Sequence, residues 1–149
     1  MKGKRVAGTT VAGILATLAL SAVAFAESTL TLDRTAKLAG EGAGVNVSVK
    51  VSCDPPAQGE GGQGFESVFV QVTQAVGDAI ASGGGNLERF DCDGTEQILD
   101  VLVTADPNSR PFRKGVAVAK ATLSACAGQE PAGCRNATDQ GEIEIKKKK

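Results

Sequence analysis

The sequence has no histidine, no tryptophan and no tyrosine, and its aromatic content is five phenylalanines. Each absence removes a class of chemistry. Without histidine there is no Ser-His-Asp or Cys-His constellation, no His-ligated zinc and no imidazole proton shuttle. A carboxylate pair can support glycoside hydrolysis in principle. Without tryptophan or tyrosine, however, the usual stacking platform for a sugar ring is missing. The chain is therefore read as non-enzymatic, with no catalytic, cofactor-binding or metal-binding residues and no cofactor. An excess of one charge is also lacking: 16 Lys and Arg stand against 17 Asp and Glu. Bulk charge points neither to nucleic acid nor to any other partner.

What is present begins with an export signal. Lys2, Lys4 and Arg5 precede an uncharged run from Val6 to Ala26, and Ala24-Phe25-Ala26 offers a small-x-small cleavage site before Glu27. Basic start, apolar middle and A-x-A end read as a secretory signal peptide over residues 1–26. The run is long enough to serve as a membrane anchor, but its Ala, Gly and Thr content and the adjacent cleavage site favour removal. No cysteine lies beside it to accept a lipid, and Ile143-Glu144-Ile145 with Lys146 to Lys149 offers no second apolar segment. Cleavage takes three of the 16 basic residues and none of the 17 acidic ones, leaving 13 against 17 and a net charge of −4. The remaining length suits one domain with one core. Residues 27–145 are read as that domain and 146–149 as a basic tail. The tail is read as a solubilising end; the alternative is electrostatic attachment to an anionic wall polymer or membrane surface.

All four cysteines, Cys53, Cys92, Cys126 and Cys134, lie in the exported part. An even count in an oxidising compartment implies two disulfides. The sequence permits three pairings. The reading favours Cys53–Cys92 with Cys126–Cys134, the second a local staple across a short loop. On loop entropy the long bridge contributes about 4 kcal/mol and the short one about 2.5 kcal/mol. Such bracing matters where valine must supply most of the core.

Strict alternation sets the fold class. Val45, Val47, Val49, Val51 and Cys53 are apolar, and Asn46, Ser48, Lys50 and Ser52 between them are polar. That is a strand with one buried and one wet face. Leu30 and Leu32 mark an earlier strand, and Ala39 to Gly44 form a glycine-rich turn. Asp54-Pro55-Pro56 stops the second strand, and 57–64 is a loop. Glu66 to Val76 is a third strand, apolar on both faces and hence central. Ala79-Ile80-Ala81 is a short strand broken by Ser82-Gly83-Gly84-Gly85-Asn86 and resumed from Leu87 to Cys92. Gln97 to Thr104 follows the Asp93-Gly94 turn. Val116 to Cys126 is rich in alanine and has helical propensity. The Val116/Val118 alternation favours a strand, with a helix kept as the alternative. The loop Ala127 to Arg135 leads to a last strand, Asn136 to Ile145. Some seven short strands at this spacing predict an all-β, two-sheet sandwich.

Four motifs have plainer readings. Gly59-Glu60-Gly61-Gly62-Gln63-Gly64 matches G-x-G-x-x-G, but prolines precede it and a valine strand follows, so it reads as a loop. Asp91, Asp93, Glu96 and Asp100 form the densest acidic group. Their spacing departs from a calcium loop, and turn chemistry explains them better than a weak calcium site. Asn46-Val47-Ser48 and Asn136-Ala137-Thr138 match the glycosylation sequon by chance.

The segments Val51-Ser52-Cys53-Asp54, Val70-Gln71-Val72-Thr73-Gln74, Cys92-Asp93-Gly94 and Phe112-x-x-Gly115 are together similar to those of small secreted actinobacterial proteins with immunoglobulin-like (fibronectin-like) domains. Phe112-x-x-Gly115-x-Ala117-x-Ala119 resembles the turn into the sixth strand of such domains. The resemblance covers residues 28–145. It implies that the four cysteines share one end of the sandwich, with loops 54–65 and 127–135. The composition also resembles the neocarzinostatin-type apoproteins, although the cysteine spacing does not match. Three functions follow as expectations. The first is a secreted, monomeric immunoglobulin-like module with a structural role or a protein or cell-wall partner. The second is a neocarzinostatin-like carrier of a small molecule. The third is an inhibitor of a secreted hydrolase. In each case no nucleic acid is bound, and no membrane span remains after cleavage.

Overall fold

The computed structural model describes residues 28–53, 65–126 and 134–147. Its elements are β1 (Thr29–Ala39), β2 (Gly44–Ser52), β3 (Phe65–Val76), β4 (Ala79–Glu88), β5 (Gln97–Ala105), β6 (Gly115–Cys126) and β7 (Cys134–Lys146), with one 3-10 turn at Gly40–Gly42. The signal at 1–26, the glycine motif at 59–64, the loop 127–133 and Lys148 and Lys149 lie outside the described residues. Among the described residues no helix is long and apolar enough to cross a membrane.

Alternation in the sequence becomes burial in the barrel. Val45, Val47, Val49 and Val51 of β2 are completely enclosed, as are Val68 and Val70 of β3 and Ala119, Ala121 and Leu123 of β6. The alanine-rich run is a strand, not a helix: its small side chains alternate inward and face Ala81, Val101 and Ile143 in one continuous core. The third strand is central, lying between β4 and β6.

The all-β class and the seven strands are those the alternation predicts. The strands close into a barrel in the order β1-β2-β5-β4-β3-β6-β7. Two local features join edges that a sandwich leaves apart. The first is in β1. Asp33, Arg34 and Thr35 separate Leu32 from Ala36, while only Ser48 separates their β2 partners Val49 and Val47. This bulge of two extra residues turns β1 so that Thr35, Ala36 and Lys37 also pair in parallel with β7. The second feature is the glycine run of β4. The sequence reads it as a break, but β4 passes through it. A Cβ on Gly83 would overlap the carbonyl oxygen of Thr104, and one on Gly85 that of Leu102. Without side chains the β4 backbone closes on β5, and Gly83 and Gly84 pair with Ala105 and Thr104. On the outer side the Phe69 ring covers Gly84, 3.3 Å from where a Cβ would stand.

Three boundaries also move. The resumed strand from Leu87 to Cys92 stops at Glu88, because Arg89 turns the chain with φ +61°. The last strand begins two residues before Asn136, at Cys134, where β6 pairing already starts. Lys146, assigned from sequence to the tail, closes β7 opposite Lys37.

The two ends of the barrel are held differently. At one end, Cys53 bonds Cys92 and Cys126 bonds Cys134, the pairing that the sequence favoured. The first bridge ties the end of β2 to the segment before β5, reinforced by Gly94 N–H donating to the Cys53 carbonyl at 2.9 Å. The second joins directly opposed residues of β6 and β7. At the other end the loop between β5 and β6 inserts Phe112, the one fully buried phenylalanine among the described residues. Gln74, the one buried polar side chain among the described residues, holds that loop as a peptide group would. Its Nε2 donates to the Arg113 carbonyl and its Oε1 accepts the Arg113 N–H, each at 2.8 Å. The Phe112 N–H donates to the Gly42 carbonyl at 2.9 Å, and Gly42, at φ +102°, leaves no room for a Cβ beside Phe112.

Two predictions follow from these anchors. Phe112→Ala is expected to cost about 3–5 kcal/mol in urea unfolding, and Phe112→Leu less than about 1.5 kcal/mol, because only the first leaves a large cavity. Replacing both cysteines of one bridge by alanine is expected to cost about 4 kcal/mol for Cys53–Cys92 and about 2.5 kcal/mol for Cys126–Cys134. The ranking is read from the two denaturation midpoints; a reversed ranking contradicts the loop-entropy account.

Candidate functional site

A concavity runs along the outer face of β1, β2 and β5. Register sets its rows. Thr31 of β1, Lys50 of β2 and Ile98 of β5 lie side by side, then the bulge with Ser48 and Asp100, then Lys37 with Asn46 and Leu102. Gly44 and Thr104 complete the last row beside Ala39. The floor is β2, whose outward side chains Ser48 and Asn46 are short; Gly44 has none. The walls are the longer side chains of β1 and β5. The same alternation that sends the β2 valines into the core thus lines this trough with their polar neighbours.

Three cavities occupy the trough in line. The central one, about 340 Å³, is lined by Asp33, Thr35, Lys37, Asn46, Ser48 and Asp100. A second, about 160 Å³, shares Asp33 and Ser48 with it and extends to Lys50 and Ile98. A third, about 200 Å³, lies toward the Phe112 end between Ala39, Gly40, Ala43, Gly44, Leu102 and Thr104. From Lys50 to Gly44 the trough is about 20 Å long at the rise of an extended strand. Both ends have an aliphatic wall: Ile98 is 71% exposed and Leu102 is 54% exposed.

The bulge produces the centre. The Thr35 N–H donates to Asp33 Oδ1 at 2.9 Å, which folds the extra residues into a small turn, and Asp33 lines the trough. Across the floor, Ser48 Oγ donates to Asp100 Oδ1 at 2.5 Å. Lys50 is engaged by Glu96 at 3.2 Å. The side chains of Thr35, Lys37 and Asn46 make no hydrogen bond among the described residues. Two carboxylates and one ammonium therefore surround the central cavity, with a hydroxyl and an amide ready to bond.

Arg34 and Asp139 fix the bulge from behind. Asp139 Oδ2 accepts the Leu32 N–H at 2.9 Å, at the point where β1 leaves its ladder, and pairs with Arg34 at 3.2 Å. Arg34 lies over Gly141, in the space a Cβ there would take. The Leu32 N–H, helped by the Arg34 guanidinium, lowers the Asp139 pKa below the ordinary aspartate value, against a smaller opposing effect of burial.

The acidic residues singled out from sequence do not converge. Asp93 accepts both the N–H and the hydroxyl of Thr95, at 2.9 and 2.5 Å, and the hydroxyl first and the N–H second lower its pKa. It is a turn residue, as its sequence context predicts. The Asp91 carbonyl accepts the Gln97 amide. Glu96 holds Lys50, and Asp100 alone reaches the trough. Among the described residues no three His, Cys, Asp or Glu side chains stand close enough to share a metal ion. Cys53, Cys92, Cys126 and Cys134 are all in disulfides, so none is a free thiol. Sequence reasoning missed Asp33, Lys37 and Asn46 as site residues. The one signal was Arg34, a charged residue at a position where the Leu30, Leu32, Ala36, Leu38 phase calls for an apolar one.

A comparison with models of known protein families matched none of them, and no curated protein matched the sequence.

Asp139→Asn is expected to lower stability near neutral pH, since the charged acceptor of the Leu32 N–H is lost. The sign with pH follows from the lowered pKa. The wild-type advantage is complete above the unfolded value of about 4 and disappears as pH falls through the lower folded value. Urea midpoints of the two proteins should therefore converge in acid and diverge toward neutrality. A constant gap at all pH contradicts this role for the Asp139 charge.

Proposed function

We propose that this chain is a secreted, non-enzymatic interaction module, and that it engages a protein or cell-wall partner through the trough on β1, β2 and β5. The observation that carries the reading is the line of three cavities on one face of a barrel whose inward side chains form one core cluster. That core leaves the outer surface as the place for recognition. The trough offers hydrogen-bonding groups flanked by aliphatic walls, the composition of a recognition surface. The disulfide-braced end and the Phe112 plug keep its three strands in fixed register.

The finer architecture belongs to the same proposal. The β4–β5 seam has two register pairs and the β1–β7 seam three, against eight or more at every other strand pairing. Opening both seams would leave β1-β2-β5 facing β4-β3-β6-β7. That division supports an immunoglobulin-like arrangement, of the kind found in the small secreted actinobacterial proteins that the sequence resembles. Two disulfides support passage through an oxidising compartment. A neocarzinostatin-like carrier ranks lower, because the trough is open and polar, whereas a carrier site encloses its apolar ligand.

The test blocks the trough without touching the core. Ser48→Arg places a long side chain on the floor of the central cavity. Purified wild-type protein is expected to sediment with washed cells or walls of the source organism. The variant is expected to remain in solution while its urea unfolding stays cooperative, with a loss of no more than about 1.5 kcal/mol for the hydrogen bond to Asp100. Equal sedimentation of both proteins contradicts the reading.

A further inference from the structure

We propose that the trough selects an extended segment of a partner protein in which a lysine or arginine is flanked, two residues to either side, by aliphatic side chains. The proposal rests on the interaction-module reading and names its ligand class. Three properties of the trough lead to it. The first is its repeat. Ile98, Asp100 and Leu102 project from β5 at two-residue intervals. An extended peptide laid along β2 presents every second side chain to the same face at the same interval, so three successive contacts fall in register. A polymer without that repeat meets the trough in register only once.

The second property is the order of chemistries, which is aliphatic, carboxylate, aliphatic. Ile98 flanks the cavity toward the disulfide end and Leu102 the cavity toward the Phe112 end. An aliphatic–basic–aliphatic segment matches this order contact by contact. The third is charge. Asp33 and Asp100 each commit one oxygen within the fold, to the Thr35 N–H and to Ser48, and turn toward the central cavity. Lys37 offsets one of the two negative charges, so a single incoming cation neutralises the site. Lys37 and Asn46 then remain as donors for carbonyl oxygens of the bound backbone.

Sugar recognition fits less well. The walls are aliphatic rather than aromatic, and the net negative centre has no counterpart in a neutral glycan.

The probe is a blocked heptapeptide, Gly-Leu-Thr-Lys-Thr-Leu-Gly, titrated into the isotope-labelled mature protein with intact disulfides. Amide signals of Asn46, Ser48 and Asp100 are expected to shift saturably. The same peptide with glutamate in place of lysine is expected to bind at least about tenfold more weakly. The variant carrying Asp33→Asn and Asp100→Asn keeps a side-chain oxygen at each position, so both internal hydrogen bonds persist, and it should weaken the lysine peptide by a similar factor. Equal binding of the two peptides, shifts confined to the β3–β6 face, or no binding overturns the proposal. So does a neutral chito-oligosaccharide that shifts these amides where the lysine peptide does not. If the peptide fails but Ser48→Arg still abolishes sedimentation, the trough stands as the site and only the ligand class falls. If both fail, the interaction reading falls with it.

Discussion

A single carboxylate holds the structure at the point where regular pairing stops. Leu32 is the last β1 residue paired with β2 before the two extra residues, and its N–H needs an acceptor on the β7 side. Asp139 of β7 supplies it at 2.9 Å, more than a hundred residues away in sequence. A backbone donor left without a partner costs about 1–3 kcal/mol, so the bulge depends on that contact. Both consequences of the bulge matter. Behind it, β1 swings onto β7 and closes the barrel. In front of it, Asp33 and Thr35 project over Ser48 and form one wall of the trough. Arg34 joins the two sides by pairing with Asp139 and covering Gly141.

The remaining architecture compensates for a core made of small side chains. Valines and alanines make up most of the barrel core, but each contributes little buried area. The ends must therefore be fastened by other means. Covalent bridges secure one end. At the other, Phe112 adds a large buried aromatic, and Gln74 satisfies the Arg113 backbone that follows it. Glycines do related work along β4, where their lack of a Cβ allows two backbones to approach. Eight register pairs on each side of β2 hold β1, β2 and β5 in place, and the trough follows from that register.

Much of the fold was legible in the sequence because alternation is a local signal. Val45 to Cys53 announced β2, and the valines of Glu66 to Val76 announced a central strand. The four cysteines suggested their own pairing. What stayed hidden depended on contacts between distant segments. Gly83 to Gly85 look like a turn unless one knows that Thr104 and Leu102 lie against them. Asp33-Arg34-Thr35 looks like ordinary alternation with one misplaced charge, because two added residues leave the inward phase of Leu32 and Ala36 unchanged. The barrel and the trough both arise from that silent insertion. For the same reason the acidic group that drew attention in sequence, around Asp93, is turn chemistry, while Asp33 and Asp100 meet only through the register of three strands.

The most direct measurement is the pH titration of the Leu32 amide proton by NMR. The account predicts a slowly exchanging, strongly deshielded proton whose shift follows a single carboxylate with a midpoint below about 4, the ordinary aspartate value. It also predicts that Asp139→Asn abolishes the titration. A rapidly exchanging Leu32 amide, or one whose shift ignores the ionisation of Asp139, would mean that the bulge is not held as described. Neither the barrel closure nor the trough would then rest on it.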